Sequence, residues 1–414
     1  MKIAYLCSDP GVPVCGNKGA SIHVRELSSS LQRLGHEVTV IAARTGGDPP
    51  PDYEVPIVAL EPEPLDERFI DLLGTDPSGG RAIAGDVRAA MAASSLRHQA
   101  LPLLRSLRPD LVYERYALFG TAGVAVAREL DVPLILEVNA RLSQEQEQHR
   151  GLAFGATARE LELAVLLSAD HIVTVSSILR RWVVDAGVRP DGVTMLPNGV
   201  DPARFHPERE DRDAVRGQLG LSDEPVVGFL GTLKPWHDVA TLVHAMELVA
   251  RREPAPHLLV VGDGPERGRL EDLARNLQFS EAVTFTGEVP HDSVAAYIGA
   301  FDVAVLPYGA DGDYFSPLKL FEYLAAERPV VATDVGDIGH CLTNGESGLT
   351  YPPGDVNALA GAISALLSDP LWASSLARAG RDHVRAYHTW EGNARLVVQL
   401  AQQLAGRGSV EVVE

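Results

Sequence analysis

Short apolar runs, each ending in a loop and most of them followed by a helix-spaced segment, recur along this chain in two separate series. That repetition restricts the possible folds more than any other feature of the sequence. The first series opens with the run Lys2–Cys7, a Gly/Pro loop from Ser8 to Gly19, and a helical segment in which His23, Leu27, Leu31 and Leu34 fall on one face. Gly35 directly follows as a stop signal, and Val38–Ala43 reads as the next buried strand. Further runs at Leu111–Tyr113, Leu134–Val138, His171–Val175 and Val193–Leu196 alternate with helical stretches such as Ala156–Leu167. The stretch Asp201–Asp223, charged and broken by Pro202 and Pro207, reads as a connection. Beyond it a second series begins, with runs at Val226–Leu230, His257–Val261, Val283–Thr286, Val303–Leu306 and Val330–Ala332. The expected class is α/β with two doubly wound parallel sheets. A chain of 414 residues also exceeds what one ordinary core organises. The expected division is 1–205, 206–386, and 387–414 as a helix returning to the first domain, with a mobile tail from Gly406.

The formal charge of −20 sets the partners apart by sign. It opposes nucleic acid and strong binding to anionic membranes, so an anionic ligand needs a local basic pocket. The chain has four lysines, Lys2, Lys18, Lys234 and Lys319, and every other strongly basic side chain is arginine. Lys18, Lys234 and Lys319 lie in or beside loops that follow apolar runs. Chance or codon bias is the bland account of such a distribution, and function is the preferred one, because a lysine ammonium is a compact phosphate-binding charge that arginine does not simply replace. Three cysteines without a paired spacing indicate neither a disulfide framework nor a zinc site. No apolar stretch approaches the ~20 residues of a membrane span, and the first apolar run is too short for a signal peptide. The expected compartment is the cytoplasm, and no bound metal is expected.

In open parallel sheets ligands gather beyond the carboxyl ends of the strands, so the loops after the apolar runs are where chemistry is expected. Gly11 and Gly16 begin a Walker-type phosphate loop, but Asn17 stands where that motif requires lysine. Gly262-Asp263-Gly264 fails the dinucleotide fingerprint, because Gly268 comes one residue late. A nicotinamide enzyme is therefore disfavoured. The more specific segment is Asp313–Ala325, which follows the run Val303–Leu306. Ser316 reads as a helix N-cap and Pro317 as the first helical residue, which would turn free N–H groups toward a phosphate. Lys319 and Glu322, three residues apart, share a face of this helix. Two such charges alone fit a structural ion pair. Their convergence with the helix start in one loop region favours ligand binding.

With these motifs in place the chain resembles retaining glycosyltransferase family 4, whose GT-B architecture pairs two Rossmann-like domains facing a deep cleft. Lys18-Gly19-Ala20 through Gly35-His36-Glu37-Val38, then Pro197-Asn198-Gly199-Val200-Asp201, Gly262-Asp263-Gly264-Pro265, Phe285-Thr286-Gly287 and Asn344-Gly345-x-x-Gly348 are similar to family motifs in the same order. The resemblance implies an acceptor-side first domain and a second domain that binds the nucleotide sugar. It implies that Glu322, matching the second glutamate of the E-x7-E signature, holds the donor ribose. Tyr314 replaces the first glutamate and shares the donor loop with Phe315, Ser316 and Pro317. Lys234, in the segment Gly231–His237, lies where the family has a basic pair on the diphosphate, with Thr232 and His237 at the usual arginine and lysine positions. Gly19 matches the second glycine of the N-terminal loop and Lys18 replaces the first. Asn139 falls near a strand end where relatives carry a sugar-contacting histidine, and either a hydrogen bond to the sugar or a capping role suits it. The implied reaction passes a sugar from a nucleotide diphosphate sugar to a hydroxyl of a small molecule or glycan, with retention. Lys234 and Lys319 would stabilise the departing diphosphate without a metal, and no cofactor beyond the donor co-substrate is implied. A sugar-nucleotide epimerase of this architecture, or an inactive relative acting as a scaffold, remains open at this point.

Overall fold

The computed structural model describes residues 1–60, 64–76, 80–205, 209–310 and 316–408. The chain forms two compact units, one of residues 1–197 with 390–414 and one of residues 198–389.

The first unit is built on a seven-stranded sheet of β1 (Lys2–Cys7), β2 (Glu37–Ala42), β3 (Ile57–Ala59), β4 (Leu111–Arg115), β5 (Leu134–Val138), β6 (His171–Thr174) and β7 (Val193–Met195). Their order across the sheet is β3-β2-β1-β4-β5-β6-β7, every pair parallel. Parallel neighbours require crossovers, and the intervening helices bury both faces of the sheet, which is why the central strands read as unbroken apolar runs. Helix Gly19–Arg33 buries Leu27 and Leu31, and Gly35 leaves it with a φ of +86°, a conformation suited to glycine. Helix Trp390–Gly408 packs on it, with the indole of Trp390 edge-on to the His23 ring at 5.0 Å. Gly406 to Gly408 are thus helical, where the sequence suggested the start of a mobile tail; residues 409–414 lie outside the described residues.

The second unit carries β8 (Val226–Leu230), β9 (His257–Val261), β10 (Val283–Phe285), β11 (Val303–Leu306), β12 (Val330–Thr333) and β13 (Leu349–Tyr351). Their order is β10-β9-β8-β11-β12-β13, again all parallel. Both units are therefore Rossmann-like, as expected. The stretch taken from sequence as a connection is instead structured: it holds helix Arg209–Gln218 within the second unit. Val215 and Leu221 join that unit's core, and the Arg216 guanidinium donates to the carbonyls of Ser222 and Glu224 and to Asp302. This charge-rich segment is docked by Phe205, Val215 and Leu221 in the core and by Arg212 and Arg216, both paired with Asp302. The strand order reverses between β1 and β4 and between β8 and β11, and these switch points are where a parallel sheet opens a crevice to ligands.

Candidate functional site

At the switch point of the second sheet, the loop leaving β8 is shaped by close backbone approach. Gly231 has a φ of +146°, and a Cβ there would stand 2.1 Å from Cε of Lys319. Gly262, after β9, has a φ of +132°, and its Cβ would stand 2.2 Å from the Gly231 carbonyl oxygen. Only glycine meets both demands. The two loops are tied together by Gly231 N–H donating to Val261 O and Leu233 N–H donating to Asp263 O, each at 2.8 Å.

The short turn Pro235–His237 then brings the His237 imidazole inward among Phe229, Trp236 and Tyr308. Its Nδ1 makes a short hydrogen bond with the Thr232 carbonyl, which can only accept, so Nδ1 carries the proton. The Nε2 lone pair is left facing Nζ of Lys319 at 3.2 Å. Burial, followed by the Lys319 charge, pushes the His237 pKa down to about 3, so this ring is neutral across the physiological range. Burial likewise lowers Lys319 to about 8, with Glu322 opposing the shift. The ammonium sits 5.9 Å over the Tyr308 ring, within cation–π range. Lys234 extends over the Trp236 ring at 5.8 Å, and its charge adds to that of Lys319 in depressing His237.

Helix Leu318–Ala325 supplies the rest. Its position differs from the sequence expectation: Pro317 occupies the cap position and the helix starts at Leu318, while Ser316 does not cap it. The Ser316 hydroxyl instead accepts from the Asn198 N–H at 2.8 Å, and the Asn198 side-chain amide donates to the Ser316 carbonyl at 2.8 Å. A tertiary clamp from Asn198 has taken the hydroxyl that a local cap would have used. Glu322 is buried at 7% exposure, and its charge acts on Lys319, Tyr308 and Tyr323. The Tyr323 hydroxyl accepts from Leu230 N–H at 2.7 Å, fixing the helix to the end of β8. Gly231, Lys319, Ser316, Pro317 and Glu322 thus lie on two adjoining segments of this edge, with Lys234 in the same loop as Gly231. Tyr314 and Phe315 lie outside the described residues.

In the first unit, Lys18 is exposed and its Nζ donates to the Gly11 carbonyl at 2.9 Å, folding the side chain back over its own loop. Gly19 begins the adjacent helix. Asn139, just past β5, does not cap a helix; its Nδ2 donates to Glu137 at 2.5 Å. Glu137 is a buried carboxylate that also takes the Tyr113 hydroxyl, Arg115 at 2.8 Å and His23 Nε2 at 2.7 Å. Burial alone would raise its pKa, but His23 and Arg115 outweigh it and hold the group at about 2. Glu114, on the opposite face of β4, shows the contrary case. Among the described residues only the Gly123 N–H reaches it, at 3.2 Å, and burial lifts its pKa to about 8.

Sequence reasoning set most histidines aside as structural or surface groups and singled out neither Tyr308 nor Asn198. No spacing signal joins His237 to Lys319, which are 82 positions apart. Asn198 stood inside a quoted motif, but its partner is 118 positions away. Among the described residues no group of three or more His, Cys, Asp or Glu is arranged to hold a metal ion, and no helix is long and apolar enough to cross a membrane.

Comparison with known proteins matches residues 17–204 to "Glycosyltransferase Family 4" and residues 224–369 to "Glycosyl transferases group 1". The chain is 30% identical over 408 residues to D-inositol 3-phosphate glycosyltransferase of Kineococcus radiotolerans, covering 90% of this chain and 88% of that one. It is 28% identical over 396 residues to glycogen synthase of Mycobacterium tuberculosis, covering 92% and 90%. The structure of sucrose-phosphate synthase from Thermosynechococcus elongatus superposes with a TM-score of 0.73 at 27% identity, covering 98% of this chain and 99% of that one.

Proposed function

Since this chain belongs to glycosyltransferase family 4 and is a nucleotide-sugar-dependent glycosyltransferase, we propose that the loops Gly231–His237 and Ser316–Lys319 hold the donor diphosphate and that the sugar passes to an acceptor hydroxyl with retention at the anomeric carbon. The observation that carries this reading is the Lys319 ammonium, half-sunk beside a neutral imidazole and an aromatic face at the switch point of the second sheet. As the glycosidic bond breaks, negative charge grows on the departing diphosphate. A preorganised cation in a partly desolvated setting stabilises that charge far more than one in water. Lys234 and the first N–H groups of helix Leu318–Ala325 add to the same field. Together they supply the stabilisation for which a divalent cation would otherwise serve. Glu322, acceptor-only when ionised, suits the two vicinal hydroxyls of the donor ribose. In a front-face course the leaving phosphate itself takes the acceptor proton, so no protein base is required. The relatives named for glycogen and for D-inositol 3-phosphate favour a sugar or polyol as the acceptor class.

The test begins with a thermal-shift screen of nucleoside diphosphates and their sugars, in which the true donor raises the melting temperature. Glu322→Gln should then weaken binding of the preferred nucleotide by about tenfold at unchanged fold, as one charged hydrogen bond to the ribose is lost. Unchanged affinity by calorimetry would assign Glu322 a structural role only.

A further inference from the structure

We propose that His237 is the positioning residue for Lys319, its Nε2 lone pair taking one N–H of the ammonium so that the remaining two are held toward the diphosphate at the end of β8. This rests on the reading of Lys319 as a diphosphate-binding group. A lysine head carries three donors on a flexible four-carbon stem, and without a fixed acceptor its direction is set by solvent. Here the acceptor is fixed from behind. Thr232, in the same loop, takes the Nδ1 proton and so forces the tautomer whose other nitrogen can accept. The ring is held in place by Phe229 at 5.9 Å and Tyr308 at 5.2 Å, and Gly231 leaves the room through which the Lys319 stem passes.

A ring that served only to fill this space would need neither nitrogen, yet both are engaged, one by a backbone carbonyl and one by the ammonium. The imidazole is also the right charge for the task. A protonated ring 3.2 Å from Nζ would repel it, whereas burial and the Lys319 field keep the ring neutral. Tyr308 meets the same ammonium with its ring face, whereas His237 offers it a nitrogen lone pair at hydrogen-bond distance. The arrangement is a relay of orientation: carbonyl to ring, ring to ammonium, ammonium to ligand.

Two substitutions separate orientation from packing. Gln places an amide oxygen near the position of Nε2, whereas Asn can satisfy Thr232 but is too short to reach Lys319. ADP, GDP and UDP are titrated into the wild type by calorimetry, and the tightest becomes the probe for Lys319→Ala, His237→Asn and His237→Gln. We expect Lys319→Ala and His237→Asn to lose about tenfold or more in affinity and His237→Gln to stay within about threefold of wild type. If Lys319→Ala binds as wild type does, the diphosphate reading falls and takes the proposal with it. If Lys319→Ala is weakened but His237→Asn is not, the positioning role alone is refuted. It is equally refuted if Asn and Gln lose affinity alike at matched melting temperature. A measurement on the unaltered protein guards against misfolded variants. Two-bond ¹H–¹⁵N correlation of the histidine rings at pH 6 should show His237 as the neutral Nδ1–H tautomer. A charged ring or an Nε2–H tautomer would remove the lone pair and end the proposal.

Discussion

Replacing Gly231 with alanine adds one methyl group, and the structure sets what it must do. The new Cβ would stand 2.1 Å from Lys319 Cε, 2.8 Å from Nζ and 3.2 Å from Cδ. Carbon atoms rest at about 3.5–4.0 Å, so the lysine stem must retreat by about 1.5 Å. The backbone cannot share the movement cheaply, because Gly231 N–H is bonded to Val261 and the Gly262 backbone lies against the Gly231 carbonyl. A non-glycine residue at a φ of +146° costs about 1–3 kcal/mol, and forcing the lysine off its rotamer costs about 0.5–1.5 kcal/mol more. The variant should thus lose about 1.5–4.5 kcal/mol of stability and still fold in a domain of ordinary stability. Catalysis should suffer more. Misplacing a reacting or stabilising group by about 1 Å costs on the order of 10²-fold in rate. The assay is release of nucleoside diphosphate from the preferred donor, followed at saturation, beside a thermal melt. Gly231→Ala turning over at the wild-type rate with a wild-type melting temperature would refute both the crowding argument and the placement of Lys319 on the diphosphate.

Lys319, lowered to about 8 by burial, is partly neutral at mildly alkaline pH, and a bound diphosphate favours its charged form and so raises the pKa. Nucleotide binding between about pH 8 and 9.5 should therefore take up a proton, seen as a calorimetric enthalpy that depends on the ionisation enthalpy of the buffer; buffer-independent enthalpy would contradict it. Glu114, lifted to about 8, is protonated in the fold while its unfolded counterpart titrates near pH ~4.3, so its contribution to stability is full below that pH and lost as pH rises to about 8. Glu114→Gln should match the wild type near pH 5 and gain on it toward pH 8 in urea unfolding, whereas parallel curves would show that the carboxyl ionises freely. Finally, on the proposed reading that lysines and a helix start supply the charge at the diphosphate, transfer should persist after exhaustive EDTA treatment; complete loss restored by Mg²⁺ or Mn²⁺ would assign the leaving group to a metal instead.

The strands best read in the sequence are those buried on both faces. The apolar runs 134–138, 226–230, 257–261 and 303–306 coincide with β5, β8, β9 and β11, because a parallel strand under helices leaves no polar face to interrupt it. β3 and β13 escaped notice. Each has three residues, most of them only half-buried, too few for any period to show. The site followed the same division. Gly231, Lys319 and Glu322 stood in short motifs whose composition already suggested close approach and charge. The start of the helix was misplaced by one residue, because the local preference of Ser316 for capping lost to Asn198, a competitor that only the folded chain brings near. His237 was placed by the resemblance at a family lysine position, but its contact with Lys319 was not legible for the same reason: the two lie 82 positions apart and nothing local connects them.

The division of the chain carries a consequence for the order in which it is made. The first unit is discontinuous, interrupted after Pro197 and resumed at Trp390, where the Asn393 amide donates back to the Pro197 carbonyl at 2.7 Å. The second unit is one unbroken stretch whose ends are joined by the Val200–Thr389 bridge and by Val200 N–H donating to His388 O at 2.9 Å. On the ribosome, residues 198–389 emerge with everything their own core requires. The first 197 residues emerge earlier but lack the helix that covers His23 and buries Trp390, Ala394, Val397 and Ala401. Until that last helix leaves the exit tunnel, the apolar face of helix Gly19–Arg33 stands uncovered, open to chaperones and to neighbouring chains. The unit whose first residues are made earlier is thus completed later, and a chain cut short after residue 389 would tether one finished domain to one unfinished one.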